Sequence, residues 1–188
     1  MSATGADLPA ILASPLCATF PCTTAFTPQF VGVTTIGRTI DNGDSSYLNG
    51  SKVTTTVLGG QIVSLSLYVH GPLDTAAHRS FQIGVYSSDP ATGYPGTLLG
   101  VSQVGTLVGN SWNTLLIAGL PLTPLTDYWV MANNNGQAGA ATNRYVYEMA
   151  AGGVGAWSVA PIPFGSWPTT FAATVTGTSF SLYVSVLP

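Results

Sequence analysis

The chain has 188 residues, enough for one domain with a substantial core, but only 6% of them are charged, where an ordinary globular domain carries about a quarter. Four Lys and Arg against seven Asp and Glu leave a net charge of -3, which provides no basic surface to track phosphates and argues against nucleic-acid binding. No apolar run approaches the ~20 residues that cross a bilayer, so the 46% hydrophobic content calls for a Ser-, Thr-, Asn- and Gly-rich surface, burial against partner subunits, or both.

Pro9, Pro15, Pro21 and Pro28 deny residues 1–29 a regular helix or a central strand, so this segment reads as an extended arm ahead of a domain at 30–188. The arm either lies across its own domain or reaches a neighbouring subunit, where it can add a strand to a sheet edge. Its opening, MSATGADLPAILASPLCATF, lacks the basic n-region of a secretory signal, and Ser and Pro break its apolar stretch. Cys17 and Cys22, in CATFPC, can close a small disulfide loop or stand as two buried thiols. Without clustered histidines they are too few for a structural zinc site.

Residues 30–37 (FVGVTTIG) read as the first strand of the domain. The following stretch, 39–51, is dense in Asp, Asn, Gly and Ser. Asp41, Asn42 and Asp44 offer oxygens to calcium, but Asn-Gly and Gly-Asp are turn dipeptides and the terminal Glu of a calcium loop is missing, which favours a turn. Residues 52–58 (KVTTTVL) form a Thr-rich strand that Gly59-Gly60 turns into the organising strand at 62–70 (IVSLSLYVH). There Val63, Leu65, Leu67 and Val69 fall on one face, and Ser64, Ser66, Tyr68 and His70 on the other.

The same period of two returns in Phe81, Ile83 and Val85 and in Phe180, Leu182, Val184 and Val186. Three one-sided apolar strands satisfy one another by stacking into a two-sheet core. The loop 71–79 (GPLDTAAHR) separates His70 from His78, the two histidines of the chain. No serine or cysteine sits in a nucleophile elbow near them, so both read as loop or strand-edge residues outside catalysis. Residues 89–97 (DPATGYPGT) make a hairpin tip presenting Tyr94, and 97–107 is expected to pair with 111–118 around Val108-Gly109-Asn110, with Trp112 in the core. A strand at 128–132 runs into the polar Asn133-Asn134-Asn135.

Taken in order, YLNGSKV, IVSLSLYV, FQIGVYS, PGTLL, SWNTL and LTDYWVMANNNG resemble, over about residues 31–136, a β-sandwich module found in two settings. One is bacteriophage virion proteins, in head decoration or tail-fibre contexts. The other is secreted bacterial proteins that combine the module with carbohydrate-active or surface domains. The matching motifs are strand and turn signatures, so the resemblance implies a fold and brings no catalytic residue with it.

Beyond residue 136 come a small-residue loop, a strand at 144–149 (RYVYEM), a flexible link at 150–157 (AAGGVGAW) and a Pro-rich loop at 158–168. Strands at 169–175 and 179–187, joined at Gly177, close the chain. Tyr94, Tyr145, Tyr147, Trp157, Phe164 and Trp167 are the candidate contact residues. Their rings can stack on sugars, seal a subunit contact, or fold over the protein's own core.

About ten strands with frequent turn signals and no helical period predict an all-β, antiparallel, jelly-roll-like β-sandwich with an extended N-terminal arm. Catalysis is not expected. Glu148 is the single glutamate, and no acid pair outside Asp41 and Asp44 is assembled for glycoside hydrolysis. No cofactor or metal is required. The expectation is a structural protein of an extracellular assembly, on a virion surface as a capsid decoration or fibre subunit, whose partners are its own copies or other virion or filament subunits such as the capsid protein. The alternatives are a carbohydrate-binding or adhesin module that recognises surface glycans, and a filament subunit using strand donation.

Overall fold

The computed structural model describes residues 27–41, 45–137, 139–149 and 152–188. All but the last three residues of the expected arm, including Cys17 and Cys22, lie outside them, as do Asn42 and Asp44 of the expected turn.

Fourteen strands form among the described residues. The first five are β1 (Gln29–Gly32), β2 (Thr39–Ile40), β3 (Asn49–Thr54), β4 (Gly60–His70) and β5 (Ser80–Ser88), with a short 3-10 turn at Ala76–His78. The middle of the chain supplies β6 (Pro95–Val101), β7 (Gly105–Thr106), β8 (Ser111–Leu122) and β9 (Asp127–Asn134). The last five are β10 (Arg144–Met149), β11 (Gly155–Ser158), β12 (Ala173–Thr176), β13 (Thr178–Phe180) and β14 (Leu182–Leu187).

They make two antiparallel seven-stranded sheets, as the alternating patterns predict. In the first, β4 is the hub: β14 lies along one edge with β1 beyond it, β8 runs along the other, and the end of β4 meets β10, which also pairs with β2 and β13. The second runs β12-β11-β3-β9-β5-β6, with β7 also on β5. The core between them joins Leu65, Leu67 and Val184 of the first sheet to Ile83, Val85 and Val130 of the second. Burying each such side chain contributes roughly 1.5–3 kcal/mol.

Three expectations need correction. The inward set on β4 begins with Ile62, not Val63: the pairing with β14 passes from Val186↔Ile62 to Ser185↔Ser64, leaving Val63 as a bulged extra residue. Ile62 is fully buried as a result and Val63 is partly exposed. The two hairpins expected at Gly59-Gly60 and Val108-Gly109-Asn110 are crossovers, because β3 and β6 belong to the second sheet while β4 and β8 belong to the first. A local turn signal gives the bend but not the sheet that the next strand joins. At the second crossover, Asn113 holds the bend by itself, accepting from the Val108 N–H at 2.7 Å and donating to the carbonyls of Val108 and Ser111 at 2.9 and 3.0 Å.

The third correction concerns the link at 150–157. Its last three residues belong to β11, which pairs with both β3 and β12. Gly155 is needed there, since a Cβ would lie 2.5 Å from Oγ1 of Thr178.

Candidate functional site

The two outer faces of the sandwich are treated differently. Outward residues of the second sheet, Tyr86, Trp129 and Met131, form a second core with Leu48 and Ala156. The connection between β11 and β12, which holds the Pro-rich loop, covers it with Ile162, Trp167 and Phe171. The Trp167 indole N–H donates to Oε1 of Gln82 at 3.2 Å, and the Tyr86 hydroxyl donates to the Pro168 carbonyl at 3.0 Å. Burial holds the Tyr86 phenol well above its ordinary range.

On the outer face of the first sheet an aromatic row crosses four strands instead. Phe30 of β1 meets Tyr183 of β14 at 5.3 Å and 78°, Tyr183 meets Trp112 of β8 at 5.0 Å and 59°, and Trp112 meets Tyr68 of β4 at 5.7 Å and 73°. Ser66 and Thr114 share a hydrogen bond of 2.8 Å beside the row, and Leu116, 61% exposed, extends it along β8. None of β1, β4, β8 and β14 contains an Asp, Glu, Lys or Arg. Trp112 was expected in the core, but its register opposite Tyr68 turns it outward and gives the inward place to Asn113, opposite Leu67. A strand-start tryptophan among apolar neighbours carries no sign of which face it takes until the register is known.

A second feature lies where the sheets part. Along β10 the inward positions run Tyr145, Tyr147, Met149, from fully buried through partly exposed to 66% exposed. Opposite them stand Asn49 of β3, Trp157 of β11 and Thr176 of β12, and the space between is a cleft of about 670 Å3. Phe180 forms part of its lining, 5.7 Å from the Tyr147 ring, and the hydroxyls of Thr176 and Thr178 lie 2.8 Å apart. Tyr47 and Asp41 complete the rim.

Of the six candidate contact residues, the cleft brings Tyr147 and Trp157 together. Tyr145 lies in the core, its hydroxyl accepting a 2.8 Å hydrogen bond from Nδ2 of Asn134. Trp167 is packed on the second sheet, Phe164 lies partly exposed in the same loop, and Tyr94 stands exposed on the β5–β6 tip. Sequence reasoning passed over Phe30, Tyr68 and Tyr183. Tyr68 and Tyr183 were legible as the polar-face members of their strands, opposite the core set.

The Asn run is an internal brace. Asn133 donates to the Ile162 carbonyl at 3.1 Å, and Asn135 donates to the Ala77 carbonyl at 2.9 Å while accepting from the Ser80 N–H at 2.8 Å. Asn143, with φ of 52°, adds to it by accepting from the Asp74 N–H at 3.1 Å and donating to the His78 carbonyl at 2.6 Å. Asp74 itself accepts from the N–H groups of Thr75 and Gln137 at 2.7 and 2.8 Å. The Gln137 N–H leads in holding the Asp74 carboxyl below its ordinary range, with Thr75, the His78 ring and the Thr142 hydroxyl adding to it against burial.

The one ion pair among the described residues joins Lys52 Nζ to Asp127 Oδ2 at 3.3 Å. The Thr54 hydroxyl, 2.6 Å from Oδ1, and then Lys52 lower the Asp127 carboxyl. Among the described residues no three His, Cys, Asp or Glu side chains converge as metal ligands. No protein-family model matches the chain, and no curated protein matches it.

Proposed function

We propose that this protein is a non-enzymatic structural subunit that self-associates through the outer face of its first sheet, within an extracellular assembly. Its most specific form is a virion surface subunit, a capsid decoration or fibre component that stabilises the particle. The observation that carries the reading is the uncharged aromatic row from Phe30 to Tyr68, set against the other outer face, which the protein covers with its own loop. The interlocked rings meet at steep angles and present edges and ridges. That relief suits packing against another protein surface, where buried aromatics dominate affinity, and suits a flat sugar face poorly. The resemblance over residues 31–136 takes in virion proteins as one of its two settings, the other being secreted bacterial surface proteins. Mass action through buried area then stabilises each subunit.

The molar mass of the full chain by light scattering tests it, alongside Leu116→Lys, which places a charge in the face without touching the core. A wild-type oligomer that the substitution reduces to monomers is the expected result. A wild-type monomer at every concentration overturns the proposal. The same measurement after deletion of residues 1–26 shows whether the segment ahead of β1 fastens the assembly.

A further inference from the structure

The cleft between β10–β13 and β3–β11–β12 shares no lining residue with the aromatic row and does not depend on the assembly reading. Its size, about 670 Å3, falls within the roughly 300–1,000 Å3 of small-molecule sites. Chemically it is mixed. Trp157, Tyr147 and Tyr47 supply rings, Thr176 and Thr178 supply hydroxyls, and Asp41 supplies a carboxylate.

Among the described residues, no Lys or Arg lines it. An anionic ligand would therefore meet the Asp41 carboxylate and find no lysine or arginine side chain among the described lining residues to pair with. A wholly apolar ligand would strip water from the carboxylate and the threonine hydroxyls and return no hydrogen bonds. A ligand with an apolar C–H face and a hydroxyl-bearing rim answers both halves of the surface. The position of Trp157 argues the same way. It occupies an inward place at the margin of the second sheet, yet it is 37% exposed. Trp167, by contrast, belongs to the loop that covers the opposite face of that sheet and packs there against the second core.

We infer that this cleft binds a neutral saccharide, one sugar ring stacking on Trp157 and its hydroxyls bonding to Asp41 and to the Thr176–Thr178 pair. A hydroxyl takes part in more than one hydrogen bond, and a carboxylate offers about four lone-pair sites, so these groups can serve a ligand while keeping bonds within the protein.

The experiment presents the full chain to an array of neutral and acidic glycans, followed by calorimetric titration with maltohexaose, cellohexaose and chitohexaose and with the strongest neutral array ligand. Trp157→Ala is expected to weaken neutral-glycan binding about tenfold or more, Trp157→Phe to retain part of it, and Tyr94→Ala, on the exposed β5–β6 tip away from both the cleft and the aromatic row, to leave it unchanged. Thr176→Val, which keeps the shape and removes a hydroxyl, is expected to weaken it several-fold. Circular dichroism of each variant confirms the fold. Binding confined to acidic glycans, binding of a fatty acid without any glycan, no glycan bound, or neutral-glycan binding that folded Trp157→Ala retains would each overturn the inference. None of these outcomes bears on self-association, which light scattering reads separately.

Discussion

The six-membered ring of Trp167 lies directly on the backbone of Gly84, so close that a Cβ there would overlap Cζ3 and stand 2.7 Å from Cε3. Gly84 is thus the seat that lets the Pro-rich loop close over the second sheet. Gly84→Ala should force the indole off its place, loosen the loop and cost about 1–3 kcal/mol, the usual penalty of overpacking. Denaturant unfolding and tryptophan emission check it, with Trp167→Phe identifying the signal. Unchanged stability and emission would show that the ring does not rest there.

Asn134 and Tyr145 tie the end of β9 to β10 through a buried bond. Tyr145→Phe leaves the Asn134 amide with an unpaired donor, at a cost of about 1–3 kcal/mol. Urea titration should show the midpoint falling with the slope unchanged, since the native and unfolded surfaces stay the same. A neutral outcome would mean that water replaces the hydroxyl.

Asp74 and Asp127 both have carboxyls held below their ordinary value of 3.8. A carboxyl lowered by folding stabilises the native state above its unfolded value, and this contribution is lost as pH falls through the folded value. Thermal midpoints should accordingly hold steady near neutrality and drop as pH falls below that ordinary value. Asp74→Asn should lower the neutral midpoint, because one acceptor oxygen is lost, and should flatten the acid limb. An unaltered acid limb in that variant would remove Asp74 from the account.

Because the strands under the aromatic row carry no charged side chains, self-association through them should resist salt. Light scattering from about 50 mM to about 1 M NaCl should give a constant or rising mass, whereas a charge-driven contact would weaken as the screening length shrinks. Dissociation at high salt would place the interface elsewhere.

Much of the fold could be read from alternation. The patterns in β4, β5 and β14 predict three inward apolar faces, and those faces meet in the core. Alternation does not mark where the count slips, so Val63 was assigned inward. It does not say which sheet a strand enters, so two crossovers looked like hairpins. The cleft was half legible: Tyr147 and Trp157 stood out as aromatics near each other in sequence, but Asn49, Thr176 and Asp41 reach it only through pairings between distant strands. The aromatic row was harder still. Each of its rings comes from a different strand, and only the lateral order β1-β14-β4-β8 sets them side by side.

That lateral order also governs when the row can exist. Tyr183 belongs to β14, which slots between β1 and β4 although more than a hundred residues separate it from either. Closing so long a loop is entropically slow, and strand pairing of this kind folds late. Until β14 docks, Phe30 and Trp112 have no ring between them, and β4 keeps an unpaired edge from Gln61 to Leu67. The row proposed as an association surface is therefore complete only once the last strand has docked. Under the proposed reading, completion of the sheet comes before assembly, and a chain whose β14 has not docked lacks the face through which copies would join.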